Sequence, residues 1–483
     1  LAGASDPLAE MEAIAAELSW ADGAALMPGG QGLALARELA ERHGTVGRLV
    51  AAIRTAVDTL PAAAARRRAL AENGPLARIF GTRYPIMQGP MTRVSDVSDF
   101  SARVGEAGGL PFSALALLRG PQVETLLRRT GEQMAGRPWG VGMLGFASKE
   151  VLKPQFEAVD RTRPDFAIVA GGRINQVEWF ESRGIPAFVH ASTAGIIIGH
   201  LEDGMRRFIV EGRECGGHIG PLTSFTLWGA IVEALRDHPI VAREGAKIQV
   251  VFAGGIHDAA SAAMAATIGE PLAEKGVAIG VLMGTGYLFT REIVEAGAIV
   301  PDYQDVALDC DGTQSLWEGP GFASRCAVTP IAEEFRRTRR EMEARGAHVS
   351  EMREALEEIS LGRLRMATKG LARTGPDKAL TEIGPEQRHR EGMYMIGQVA
   401  ALRDRVGTVA ELHESVTAGA VAHLDAFAER TTRIPAEASA PPPAEIAIVG
   451  MGTLLPGSQT LAAYWRRILS GESAIRAIPE DRW

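Results

Sequence analysis

Cysteine, long apolar runs and an excess of basic charge are all scarce in this sequence, and each scarcity removes a class of protein. The three cysteines, Cys215, Cys310 and Cys326, are an odd number without CxxC spacing. That pattern fits neither a disulfide framework nor a zinc site, so no metal is expected and the expected compartment is a reducing one, the cytoplasm. No apolar stretch approaches the ~18–20 residues that a membrane span requires, and no membrane association is expected. The 51 Lys+Arg are outnumbered by 59 Asp+Glu, giving a formal net charge of −8. The basic residues are scattered rather than gathered into a stripe, which argues against nucleic-acid binding. The sequence opens without Met and lacks the basic-then-apolar layout of a signal peptide. With both ends abrupt, it reads as a piece of a longer polypeptide.

What remains is a globular balance, 46% hydrophobic and 23% charged over 483 residues. That length predicts two or three units of roughly 100–200 residues. Residues 1–78 are Ala-, Leu-, Glu- and Arg-rich with apolar positions at helical spacing (Leu35, Leu39; Leu49, Ile53, Val57), a helical segment that could end an upstream domain. Pro28-Gly29-Gly30-Gln31-Gly32 lacks a preceding strand and a Lys-Ser/Thr sequel, so it reads as a turn rather than a phosphate loop.

From residue 79 to 300 the texture changes. Short β-prone runs recur between amphipathic helical stretches: 86–88, 110–113, 139–144, 166–170, 187–191, 207–211, 249–253 and 278–284. Strands alternating with helices pair in parallel, and an eightfold alternation closes most naturally into a (β/α)8 TIM barrel. After Val300 the β texture stops, and residues 301–430 are expected to form a helical cap or lid over the barrel mouth. Residues 431–444, Pro- and Ala-rich without periodicity, read as a stiff linker. At 445–483 a new strand and glycine turn begin, Ile446 to Gly452.

Most strands end in Gly or a small polar residue, on the face where such barrels do their chemistry. Ala253-Gly254-Gly255 after the seventh strand and Met283-Gly284-Thr285 after the eighth place small residues where backbone N–H groups can approach a phosphate. Across the mouth, Gln88-Gly89-Pro90-Met91 after the first strand offers a rigid extended backbone for a flat ring to lie on. Glu211 to Gly220 contains Gly216-Gly217-His218, a histidine on a strand-end loop with a side chain suited to proton exchange near neutrality. Cys215 beside it has no sequence neighbour placed to activate it as a nucleophile.

These four motifs, in their order along the chain (Pro85 to Met91, Glu211 to Gly220, Ala253 to Ile256, Met283 to Thr285), resemble the flavin-binding barrels of the nitronate monooxygenase (2-nitropropane dioxygenase) family. They resemble equally its sister group, the FMN-dependent enoyl-ACP reductases, including those of polyketide and polyunsaturated fatty acid synthases. The resemblance implies an FMN whose ring rests on Gln88, Gly89, Pro90 and Met91, near Gly142 and Gly217. It implies a phosphate held at Gly254, Gly255, Gly284 and Thr285, with Ala253 and Met283 also among the cofactor-binding residues, and an active-site His218. Many members carry Asn at the end of the third strand, where Gly142 stands here, and Leu282 replaces a frequent Gln.

The tail, Ile446 to Gly452 with Tyr464-Trp465 and Pro479 to Trp483, resembles the opening of a type I β-ketoacyl synthase, with Thr453 where Cys is usual. A ketosynthase joined in cis implies an acyl-assembly enzyme and, through the synthase, a homodimer. The expected activity is therefore enoyl reduction, with NADPH or NADH as hydride donor and an enoyl thioester on an acyl carrier protein as substrate. A nitronate monooxygenase-like oxidase and a catalytically degenerate scaffold barrel are the alternatives.

Overall fold

The β-prone runs from Ile86 onward can bury both faces only if helices cover the outside and side chains fill the inside. The computed structural model describes residues 30–319, 322–374, 379–433 and 452–474. In it the runs become β1 (Ile86–Gln88), β2 (Leu110–Ala114), β3 (Gly140–Leu144), β4 (Phe166–Ala170), β5 (Ala187–His190), β6 (Arg207–Glu211), β7 (Gln249–Ala253) and β8 (Ala278–Met283). Each pairs in parallel with its neighbour, and β8 returns to β1, closing the barrel expected from the sequence. Alternation along the strands sorts the core. Met87, Phe112, Ile168, Phe188, Ile209 and Val251 fill the interior, while Val141, Val169, Val189 and Val210 face outward into the helical layer.

The N-terminal helices serve this barrel. Helix α1 (Val46–Arg67) reaches the outer layer through Ala64 and Ala65. Helix α2 (Pro75–Phe80) begins on Gly74 with Pro75 in its first turn and ends at Gly81 with φ +72°, so its two ends are written in the sequence. It plugs the N-terminal end of the barrel: Leu76 and Phe80 join the interior cluster, and the Phe80 ring meets Phe166 and Phe188 edge-on at 5.4 and 6.1 Å. The expected boundary at residue 78 thus falls inside a helix of the barrel.

The ring is formed by α3 (Ser98–Glu106), α4 (Gly120–Met134), α5 (Lys149–Thr162), α6 (Ile174–Glu181), α7 (Ala194–Glu202), α8 (Ser224–Arg236) and α9 (Ala259–Glu274). Arg67 of α1 pairs with Glu270 of α9 at 2.9 Å. The eighth ring position is filled late in the chain. Residues 409–433 are helical, and their Val409, Leu412, Val416, Ala420 and Leu424 join the outer core, with His413 bonded to Ala107 at the end of α3.

The region after β8 is therefore an insertion followed by a ring helix, rather than one lid running to residue 430. Nor is the insertion wholly helical. It carries an antiparallel hairpin, β9 (Thr313–Gly319) and β10 (Phe322–Ala327), and a second, β11 (Leu371–Thr374) and β12 (Ala379–Glu382). The apolar alternation of β9 and β10 comes down to Leu316 and Cys326, which pack on Ile331, Phe335 and Leu356. So brief a pattern inside a Gly- and Asp-rich stretch does not stand out.

The chain divides after Thr431. In the second unit the described residues form a turn at Leu455–Ser458 and a helix, Leu461–Ser470, capped by the Thr460 hydroxyl accepting from Ala463 N at 3.2 Å. The expected strand at 446–449 lies outside the described residues, as does the expected linker beyond residue 433. No helix among the described residues is long and apolar enough to cross a membrane, and no cluster of His, Cys, Asp or Glu among them could hold a metal.

Candidate active site

Strand alternation decides which side chains floor the mouth. The inward sets run through Phe112, Ile168, Phe188, Ile209 and Val251, so the last inward residues are Ala114, Leu144, Ala170, His190, Glu211, Ala253 and Leu282, with Gly89 just past β1. Two of these ionise, and they are neighbours: His190 Nδ1 lies 3.9 Å from a Glu211 carboxylate oxygen. His190 Nε2 is enclosed and has no hydrogen-bond partner among the described residues. No sequence motif includes His190, and Glu211 enters only as the first residue of the Glu211–Gly220 motif with no role of its own, although counting by twos from Phe188 and Ile209 places both.

At the ends of β6 and β7 three backbone segments meet without room for side chains. Gly254 and Gly255 adopt φ +98° and +79°, the left-handed region that suits glycine. A Cβ on Gly254 would stand 2.5 Å from Ser224 Oγ and 2.9 Å from Gly212 N, and one on Gly212 would overlap Ser224. The N-terminus of α8 points into this junction. Its Ser224 N–H and hydroxyl both donate to the Glu214 carboxylate, at 2.9 and 2.7 Å, an arrangement favoured by the positive end of the helix dipole. Ala253 and Met283 are buried and contribute main chain only, the Met283 carbonyl accepting from Gly89 N–H at 2.9 Å. Gly284 leaves open space, with Met91 Sδ the nearest atom to a Cβ there at 3.7 Å.

Thr285 is already engaged. Its hydroxyl accepts from Gly397 N–H at 2.9 Å, and Gln398 N–H donates to the Glu214 carbonyl at 2.9 Å. Residues 394–398 thus run as a strap across the cradle. The strap passes Gly216 so closely that a Cβ on that residue would stand 2.8 Å from Gly397 N. No local sequence signal marks this strap, because its partners lie far away in the chain.

On the β1 side, Gln88 is fully buried. Its carboxamide nitrogen donates to Gly89 O and its oxygen accepts from Phe112 N–H at 3.3 Å, so it braces β1 against β2 rather than facing the mouth. Pro90 and Met91 are half-buried at the rim. Gly142, which takes the place of the frequent Asn, faces Pro90, and a Cβ there would overlap the proline ring.

His218 is exposed on the far rim. Its two-residue strand with Gly217 pairs antiparallel to β10, Ser324 opposite His218 and Arg325 opposite Gly217, so the cap hairpin holds the histidine loop. The His218 ring meets Phe146 edge-on at 6.4 Å, and its carbonyl accepts from the Cys215 thiol at 3.4 Å. Burial, reinforced by the charge of Glu211, pushes that thiol well above its usual range. Cys215 is thereby kept protonated, which removes it as a nucleophile. The expected motif residues therefore converge on one mouth, with Gln88 behind it and His190 and Glu211 added to its floor.

Comparison with known proteins agrees with this geometry. A curated Mycobacterium tuberculosis protein, (3aS,4S,5R,7aS)-5-hydroxy-7a-methyl-1-oxo-octahydro-1H-indene-4-carboxyl-CoA dehydrogenase, is 26% identical over 376 residues, 72% of this chain and 96% of its own. Among solved structures, FabK from Thermotoga maritima matches with TM-score 0.58 and 20% identity, over 74% of this chain and 98% of its own. Nitroalkane oxidase from Streptomyces ansochromogenes matches with TM-score 0.53 and 18% identity, over 73% and 99%. The enoyl reductase domain of MlnA, from the macrolactin biosynthesis cluster of Bacillus amyloliquefaciens, matches with TM-score 0.51 and 15% identity, over 74% and 98%. The family model of the beta-ketoacyl synthase N-terminal domain matches residues 444–483. The barrel of this chain shares the fold of those three proteins, and its last residues match the start of a condensing domain.

Proposed function

We propose that this chain carries an FMN-dependent enoyl reductase within a polyketide- or fatty-acid-type synthase, acting on a carrier-bound enoyl thioester at the expense of NADPH or NADH. The observation that carries the reading is the joint presence, in one chain, of this barrel mouth and a ketosynthase match at residues 444–483. The CoA thioester in the name of the mycobacterial relative and the enoyl reductase activity named for the MlnA domain support a thioester substrate.

The residues present fit an FMN. Gly254 and Gly255, both at positive φ, and Gly284 bring bare main chain to the ends of β7 and β8, beside the α8 N-terminus. Gly89 and Pro90, whose ring is seated against Gly142, give a flat wall on the opposite side. The Glu214 carboxylate on Ser224 shows that the helix end accepts an anionic oxygen. When bound, the flavin supplies the hydride chemistry, and the protein supplies position and protons. The largely apolar floor keeps the reacting carbons away from water, the cap hairpin fixes the His218 loop, and His218 supplies or orients the proton donor for Cα.

The experiment is direct: purified protein should be yellow, and under anaerobic conditions it should consume NADPH catalytically, beyond the amount that reduces its own flavin, only when a crotonyl thioester is present. The second reading, a nitronate-oxidising flavoenzyme, draws on the nitroalkane oxidase likeness; in that case O2 and a nitronate replace the nicotinamide and the enoyl thioester. A colourless protein would favour the scaffold.

A further inference from the structure

We propose that His190, paired with Glu211, is the group that delivers the proton to Cα, a role that rests on the enoyl reductase reading above. The mouth floor is otherwise made of Ala114, Leu144, Ala170, Ala253 and Leu282, none of which can exchange a proton. An imidazole and a carboxylate in that layer give up hydration that a branched apolar residue would not need. A histidine kept there for packing would have both nitrogens satisfied. Instead Nδ1 faces Glu211 at 3.9 Å, while Nε2 is enclosed and unpartnered among the described residues.

The arrangement assigns the two nitrogens. With the Glu211 carboxylate on the Nδ1 side of the ring, Nε2 is the nitrogen left to carry the transferable proton. Next to Glu211 of β6 is the Cys215 thiol, itself flanked by Arg325 and Glu214 and held in its neutral form, so it is no rival acid. In the step, a hydride that originates on the reduced nicotinamide bonds to Cβ and the π pair shifts to Cα. That pair takes the Nε2 proton, the N–H electrons stay on the ring, and neutral His190 regains a proton from solvent. One hydride and one proton are added across one double bond. Of the two roles open to His218, out at the rim beside Phe146, this leaves the orienting one, of the donor and the thioester.

The test uses the full chain with two isosteric variants. His190→Gln should lower kcat for crotonyl thioester reduction by roughly 10²-fold, the usual scale of general acid catalysis, with KM and the flavin spectrum unchanged. Glu211→Gln should lower kcat in the same direction. A second readout is structural: in crystals of the protein with a saturated acyl thioester bound, His190 Nε2 should lie within hydrogen-bond reach of Cα. Turnover of His190→Gln within threefold of wild type, or a bound thioester whose Cα lies out of reach of Nε2, would overturn the role while leaving the reductase reading intact. Yellow wild-type protein that reduces no enoyl thioester would instead overturn the reading, and the role with it.

Discussion

The Pro90 ring occupies the volume that a Cβ on residue 142 would need. The end of β3 and the loop after β1 are therefore a matched pair, in which the proline fills the space beside Gly142. Gly142→Ala should destabilise the fold by about 1–3 kcal/mol, the usual cost of overpacking, and lower the flavin content of purified protein. Pro90→Gly should restore part of both losses, and a double-mutant cycle on denaturant midpoints reads the coupling. Additive effects would separate the two residues.

The cradle glycines answer to a sharper contrast. Gly254→Ala combines φ +98° with a close approach to Ser224 Oγ and Gly212 N, so FMN affinity should fall about tenfold or more as the β6, β7 and α8 segments are forced apart. Gly195→Ala, on α7 with nothing within 4 Å of its Cβ, should leave affinity unchanged. Equilibrium titration of apoprotein with FMN compares them.

His413 gives the fold a pH dependence. Its Nδ1 bonds to the Ala107 carbonyl at 2.9 Å and its Nε2 to the Tyr287 hydroxyl at 2.7 Å, which fixes a neutral ring: Nδ1–H donates and Nε2 accepts. Burial lowers its pKa from 6.5 to about 4. The unfolded chain takes up this proton near pH 6.5 and the folded chain only near 4, so stability is full above 6.5 and falls as pH drops between those values. The loss should be about 2 kcal/mol by pH 5, because one proton held back over one pH unit is worth roughly 1.4 kcal/mol. Urea midpoints at pH 7 and 5 should show it, and His413→Gln should flatten the difference.

Much of this architecture is legible in the sequence, because the signals that encode it are local. Eight apolar runs ending in Gly or small polar residues are enough to predict a barrel and its working face. The rest depends on contacts between distant residues. The strap at Gly397 meets Thr285, and the ring helix at His413 meets Ala107, so neither shows as periodicity or spacing. Gln88 has the look of a ligand because it adjoins the Gly-Pro turn, whereas its amide is spent on the backbone of β1 and β2. His190 and Glu211 do not stand out because their strands read as strands through their apolar members alone.

His218 and His190 can be told apart by what each loses. His218→Ala should lower turnover and raise KM for the thioester, as expected of a rim residue that orients substrate, with the flavin spectrum unchanged. Steady-state kinetics across thioester concentration reads the split; a fall in kcat alone would move His218 into the proton-transfer step.

The most direct measurement is anaerobic mixing of the purified yellow protein with NADPH, followed by a crotonyl thioester, while flavin absorbance is recorded. The flavin band should bleach with NADPH and return on addition of the thioester, with one butyryl thioester formed per NADPH consumed. A band that returns only with O2, or a protein with no flavin band at all, would contradict the account.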